Sequence, residues 1–332
     1  MTTDGEPRVC VVGAGRHSTS HLYPHLARAG ARLVGVCDLD LEKAEKNARL
    51  FGGSAYENYE TLLDAENPDA VLVCVGPAAH AELAPAIMRL GYPVYTEKPP
   101  ATDAEDALEV VRAVEETGQL CMTAFKKRYA PPYDRAREWL DGFDPEERVA
   151  ISVDYASSSY GDRNFLLDFA VHAIDLVGFL FGEVDRVRAF GRTEGAYGYA
   201  VSLEFECGAV GTMTLTDARS FGVPTEEVEL TVEGGNWMTI HNSSAYRIVE
   251  DEQPVEWREH PTFISAGDDD GSTGHLREIE AFLEAVETGE RPRSSVDESY
   301  RSMVLYEAIR DAVETGDTVD VEYELPTRGT TE

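Results

Sequence analysis

The chain has 332 residues, 42% of them hydrophobic, which is enough for two domains with cores of their own and too apolar for a disordered acidic chain. Its 62 Asp and Glu against 29 Lys and Arg give a formal net charge of −33, which excludes the basic footprint of a nucleic-acid or anionic-membrane binder. No apolar run approaches the ~20 residues of a membrane helix, and the N-terminal residues carry no apolar signal core, so a soluble, cytoplasmic protein without membrane partners is expected.

In chain order, residues 8–13, 33–37, 71–75, 94–96 and 120–124 are short, continuously apolar runs, the pattern of strands buried on both faces. Between them, residues 18–29, 41–51, 79–90 and 104–117 read as helices, with Gly30, Gly91 and Gly118 placed to close three of them and Asp103 to cap the last. Alternation of this kind over the first ~120 residues predicts a doubly wound parallel sheet of the Rossmann type.

The first strand ends in Val12-Gly13-Ala14-Gly15-Arg16-His17-Ser18 and runs straight into a helix. This is the dinucleotide fingerprint G-x-G-x-x-G with Ser18 in its third slot. Gly13 permits the tight turn, and Gly15 lets the backbone approach a pyrophosphate at the helix N-terminus. Asp38 ends the second strand, twenty residues beyond Ser18. A carboxylate there accepts from ribose hydroxyls and repels a 2′-phosphate, so NAD is expected rather than NADP.

The fourth of these strands leads into Thr96-Glu97-Lys98-Pro99-Pro100. The chain holds only five lysines, and ligands of parallel sheets bind at the C-terminal strand ends, so Lys98 is a candidate proton donor or acceptor beside a nicotinamide. Residues 164–176 read as a largely apolar helix with Asp168 and His172 four apart on one face and Asp175 three further on. Two readings of His172 fit: a core histidine satisfied by a carboxylate, or a proton shuttle whose basicity the carboxylate sets.

The set Gly13-x-Gly15, Val75-Gly76-Pro77-x-x-His80, Glu97-Lys98-Pro99 and Asp168-x-x-x-His172 resembles the glucose–fructose oxidoreductase/inositol dehydrogenase (Gfo/Idh/MocA) family. The likeness extends through Phe125-Lys126-Lys127-Arg128-Tyr129-x-Pro131 and a late helix with His275-x-x-Glu278-x-x-x-Phe282. Ser18 for the third glycine and Ala170 for a glycine two residues after the Asp are departures, both small for small. The resemblance implies NAD held by Gly13, Gly15, Arg16, His17, Asp38, Val75, Gly76, Pro77, His80, Glu97 and Lys98. It further implies that Lys98 hydrogen-bonds the reacting hydroxyl, that His172 takes its proton, that Asp168 binds substrate or orients the histidine, and that Lys126 faces the substrate. The implied activity is hydride transfer between nicotinamide and a secondary hydroxyl of a sugar, cyclitol or sugar derivative. Two rivals share the fold: a redox-neutral enzyme that retains its NAD, and a nucleotide-sensing regulator.

From about residue 147 the pattern changes to alternating runs at 186–192, 200–206, 210–215, 227–232 and 237–241. They predict an α+β domain with an open, mainly antiparallel sheet, whose exposed face is most simply covered by another subunit in a homodimer or homotetramer. The expected division is 1–125 for NAD binding, 126–325 for substrate and oligomerisation, and a tail at 326–332. Residues 266–272, with three consecutive aspartates, read as a solvated loop, and the residues after Pro326 as a frayed end.

Five cysteines without a C-x-x-C pair suit a reducing compartment, and no metal is expected. His17, His21 and His25 are spaced like a metal stripe, but Pro24 interrupts them and nothing completes a coordination set. Carboxylates spread along the whole chain point to a high-salt interior, where a Debye length of ~3 Å at about 1 M salt suppresses their repulsion. Lys98, Lys126, Lys127 and Arg128 together invite a carboxylate-bearing substrate. Alternatively Lys127 and Arg128 pair with acids such as Asp134 and Glu138, and the substrate is a neutral polyol.

Overall fold

A computed structural model describes residues 5–161, 163–220, 225–259 and 273–324. The segment 266–272 and the tail 326–332 lie outside them. The chain forms two compact units, the first from the chain up to Lys126 with His275–Tyr300, the second from Lys127–Gly274 and Arg301–Glu324.

In the first unit β1 (Arg8–Val12), β2 (Arg32–Cys37), β3 (Ser54–Tyr56), β4 (Ala70–Val73), β5 (Val94–Thr96) and β6 (Cys121–Thr123) form a parallel sheet in the order β3-β2-β1-β4-β5-β6. This is the doubly wound order expected, and it reverses between β1 and β4, where such sheets bind ligands. β1 and β4 are buried except for Arg8, as strands covered on both faces must be.

The expected helix at 18–29 is two pieces: one π-helical turn, Ser18–Leu22, and α1 (Tyr23–Leu26). Pro24 has no N–H to donate to the ladder and suits the first turn of a new helix, so it starts α1 rather than continuing the π-helical turn. α2 (Leu41–Phe51) has the bounds expected. Between it and β4 lie β3 and α3 (Tyr59–Glu66), which are absent from the sequence reading; at 3 and 8 residues they are too short for periodicity. Only the Asn58 cap, whose side chain accepts from Thr61 N at 2.8 Å, marks the start of α3. α4 (Pro77–Arg89) starts two residues early because Pro77 occupies its first position. α5 (Ala104–Thr117) is capped by Asp103, which accepts from Asp106 N at 2.8 Å, and closed by Gly118 at φ 67°.

The second unit opens with α6 (Pro131–Leu140) and β7 (Arg148–Ala156). Residues 164–176 are not one α-helix: Leu166–Ala170 is a π-helical turn, and α7 (Val171–Phe181) follows it. Then come β8 (Val184–Arg192), β9 (Gly198–Phe205), β10 (Val210–Thr216), β11 (Glu226–Val232), β12 (Asn236–His241), β13 (Ala245–Glu250) and β14 (Gln253–Arg258). α8 (His275–Thr288) returns the chain to the first unit, α9 (Val296–Thr315) follows, and β15 (Thr318–Asp320) ends the sheet. The sheet order is β14-β13-β12-β11-β7-β10-β9-β8-β15, antiparallel except for β10 beside β7. Side chains of β9 and β10 alternate buried and exposed, so the sheet buries one face. The first unit takes in α8 as well as the chain up to Lys126, with His275 of α8 beside His25 of α1 and Phe282 against Tyr95 of β5.

Among the described residues no helix is long and apolar enough to cross a membrane.

Candidate active site

The turn after β1 is fixed by its backbone. Gly13 has φ 112°, and a Cβ on it would stand 2.0 Å from the Cys74 carbonyl oxygen, so no larger residue fits. The carbonyls of Gly13, Ala14 and Gly15 are each held by a side chain: Tyr23 OH donates to the first at 3.1 Å, Asn47 Nδ2 to the second at 3.4 Å, and Thr19 Oγ1 to the third at 2.7 Å. Ser18, in the slot of the third glycine, is fully buried and donates to Gly15 O at 3.1 Å, so its hydroxyl is satisfied within the turn. Asp38 ties the turn to β2: its Oδ2 accepts from Ala14 N at 2.8 Å and its Oδ1 from Asp40 N at 2.9 Å. It does not cap α2; Asp40 holds that position.

A cleft of about 360 Å³ opens beside the turn, lined by Gly13, Gly15, Arg16, His17, Ser18, Asp38, Cys74, Val75, Glu97 and Lys98. Beyond its own chain neighbours, nothing described lies within 4 Å of the place where a Cβ of Gly15 would be, so bare backbone faces open space. A glycine turn at the switch point, a helix start and an acid at the end of β2 are the cradle an NAD pyrophosphate and ribose require. The residues present fit that cofactor.

Of the residues expected on it, Gly76, Pro77 and His80 do not line the cleft. Gly76 and Pro77 begin α4. His80 is buried and spends both ring nitrogens inside the unit: Nε2 accepts from Val75 N at 3.2 Å, and Nδ1 donates to Pro99 O at 2.9 Å. Burial lowers its pKa and keeps the ring neutral, as this bonding requires. It braces the Val75 turn against the Lys98–Pro99 loop.

Glu97 is buried at the cleft wall, where His17 Nε2 lies 3.1 Å from its Oε1 and Lys98 N donates to its Oε2 at 3.2 Å. Burial pushes the carboxyl up, but the His17 hydrogen bond and the charges of His17 and Lys98 outweigh it and hold Glu97 below its ordinary range. Lys98 is half-buried beside it. Lys126, also half-buried, belongs to the same unit, and its charge acts on His275 and Glu278.

In the second unit Asp168 lies in the π-helical turn and His172 at the second position of α7, buried. The four-residue spacing that put them on one α-helical face is therefore broken between them. Tyr155 stacks on Phe169 at 4.8 Å, and Tyr160 lies 5.7 Å from it, so aromatic rings surround the Asp168 turn. Asp175 is buried against Arg128 and Ser302: Arg128 Nη2 donates to its Oδ1 at 2.8 Å, Arg128 Nε to its Oδ2 at 3.0 Å, and Ser302 Oγ to its Oδ1 at 2.9 Å.

Lys127 and Arg128 are both buried in ion pairs, with Glu226 and Asp175. Lys127 pairs with Glu226, donates to Ser243 Oγ at 2.9 Å, and sits 5.0 Å from the Tyr155 ring centroid. Glu226 and Asp175 come from β11 and α7, 99 and 47 residues along the chain from their cations, beyond any local signal. The His17, His21 and His25 stripe gains a fourth ring, His275, stacked 5.1 Å from His21. Among the described residues no group of His, Cys, Asp or Glu is arranged to hold a metal ion.

A Rossmann unit with this cleft and a second α+β unit define an NAD-binding oxidoreductase. Residues 7–125 match the oxidoreductase family with an NAD-binding Rossmann fold, and residues 158–321 match its C-terminal alpha/beta domain; the chain belongs to the Gfo/Idh/MocA family. It is 25% identical to an inositol 2-dehydrogenase of Rhizobium meliloti, over 91% of this chain and 95% of that one. It is 27% identical to a D-xylose 1-dehydrogenase (NADP(+)) of Haloferax volcanii, over 94% and 99% of the two chains. An oxidoreductase from Agrobacterium radiobacter, solved with NAD+, L-tartaric acid and magnesium, shares the fold at TM-score 0.85 and 17% identity, over 95% of this chain and 98% of that one.

Proposed function

We propose that this protein is an NAD-dependent dehydrogenase that oxidises a secondary hydroxyl of a neutral sugar or cyclitol. The observation that carries the reading is Lys98 at the C-terminal end of β5, in the wall of the same cleft as the glycine turn and Asp38. Gly13, Gly15, Arg16, His17, Asp38 and Val75 would hold the cofactor. NAD, when bound, supplies the hydride acceptor.

Lys98 Nζ hydrogen-bonds the reacting hydroxyl and the imidazole of His172 takes its proton, since an alcohol becomes a ketone only when its proton leaves to a base. Asp168 binds a substrate hydroxyl. The neutral substrate is favoured because Lys127 and Arg128 are already neutralised by Glu226 and Asp175. The inositol and xylose dehydrogenases among the relatives support a polyol. NAD is preferred because both oxygens of Asp38 are fixed at the end of β2 and would meet a 2′-phosphate charge to charge.

The reading includes three further properties. The acidic composition fits a high-salt cytoplasm. Phe190, Val210 and Trp257, exposed on the second unit's sheet, fit burial in a homo-oligomer. Residues 1–125 serve the cofactor and 126–325 the substrate, with α8 backing the cofactor side.

A panel of sugars, cyclitols and sugar acids in molar KCl, followed for NADH and for substrate loss together, tests the function. The dehydrogenase shows both signals, with neutral polyols the better substrates. Substrate loss without NADH would make the enzyme redox-neutral, and neither signal would make it a regulator.

A further inference from the structure

His275, Glu278 and Phe282 have no part in the reaction described so far. Spaced three and four apart, they share one face of α8, and all are buried. Phe282 meets the Tyr95 ring edge-on at 5.6 Å, and His275 lies 6.5 Å from His17. Glu278 shares a hydrogen bond with Tyr95 and feels the charge of Glu97. Tyr95 and Glu97 are two residues apart on the line of β5, so they project to the same side. The contacts close a ring: Glu97 to His17, His17 to His275, one turn of α8 to Glu278, then Tyr95 and back along the strand to Glu97.

Two carboxyls buried this deeply, one feeling the charge of the other, do not both ionise. Glu97 holds the stronger claim to the charge, with the His17 ring and the Lys98 N–H on its two oxygens. Glu278 is disfavoured as an anion by burial and then by Glu97, against which the Tyr95 hydrogen bond and the charge of Lys126 are insufficient, so its pKa lies well above the carboxylate range. Its Oε2 has no hydrogen-bond partner among the described residues, which a neutral acid tolerates far better than a carboxylate.

We propose that Glu278 is a positioning residue that carries the single proton of the Glu97–Glu278 pair, leaving Glu97 as the anion behind Lys98 and His17. The assignment rests on the reading of Lys98 and the glycine turn as the cofactor side. The groups facing Glu278 are Tyr95 and Glu97 from the β5 line, Lys126, and His275 on its own helix, with His17, His21 and His25 beyond. Ionising Glu278 would set two anions against each other and loosen Glu97 from His17, a residue of the pyrophosphate turn.

The test is an infrared difference spectrum between the wild type and Glu278→Gln, with NADH titrations of both across neutral to alkaline pH. The expected spectrum at neutral pH contains the carbonyl stretch of a protonated carboxylic acid, and Glu97→Gln makes that band vanish at lower pH. NADH affinity of the wild type should fall at least about fivefold towards alkaline pH, as coupled sites typically do, while that of Glu278→Gln stays flat. A difference spectrum with carboxylate bands alone, or an alkaline loss that persists in Glu278→Gln, would overturn the proposal. Neither readout uses turnover, so a protein that passes both yet oxidises no polyol would refute the proposed reaction and leave Glu278 in this role.

Discussion

The two units treat buried charge in opposite ways. In the second, Lys127 and Arg128 are buried directly against Glu226 and Asp175, cation to anion, with Ser243 and Ser302 completing the hydrogen bonds. In the first, acids and histidines crowd together behind a cleft, and the cation, Lys98, stands half-buried in the cleft wall. Opposite charges neutralised face to face hold a fold together and offer little to a ligand. Groups of perturbed basicity gathered at a cleft are available for chemistry. Proximity of lysines in sequence therefore misleads: Lys126 and Lys127 are adjacent, yet Lys127 is already spent on Glu226.

The largest effects should separate these two uses of charge. Lys98→Ala and His172→Ala should each lower turnover by ~10²–10⁴, the usual loss for a positioned proton-transfer group, with little change in the urea midpoint. Turnover near the wild-type value in both would favour the regulatory reading. Asp175→Ala should do the reverse: leaving Arg128 buried without its carboxylate costs about 3–5 kcal/mol of stability in urea denaturation. If that variant melts like the wild type, Arg128 does not depend on Asp175 in solution.

A smaller effect sharpens the cofactor side. Asp38→Ala should narrow the ratio of NAD to NADP affinity by roughly tenfold, since one charge repulsion of about 1.4 kcal/mol is removed. Isothermal titration with both cofactors measures it, and a wild type that already prefers NADP would contradict the role given to Asp38. The smallest expected change is general: the melting temperature should rise by a few degrees from dilute buffer to molar KCl as screening relieves the −33 charge. A flat or falling curve would remove the high-salt origin.

Legibility also divided between the units. In the first, strand and helix periodicity, the Gly13–Gly15 turn and Asp38 were all readable, because backbone-built cradles leave a local glycine pattern. What escaped there was too short for periodicity, as with β3, or lay in the partner of a motif, as with Glu278 facing Glu97 across more than 180 residues of chain. In the second, the five alternating strands were readable, but β7, β13 and β14 were not delimited, and the π-helical turn at Leu166–Ala170 carries no periodic signature that distinguishes it from an α-helix. The partners of Lys127 and Arg128 were also hidden, since long-range ion pairs have no sequence spacing.

The central claim is that a hydride leaves the carbinol carbon of a polyol for the cofactor while the hydroxyl proton leaves to this chain. A polyol deuterated at the reacting carbon, turned over with NAD and examined by proton NMR, tests it most directly. The account predicts deuterium at C4 of the nicotinamide, on one face only, with the label's appearance slowed in His172→Ala as strongly as turnover itself. Deuterium released to water, or retained on the product with no label on the nicotinamide, would contradict it.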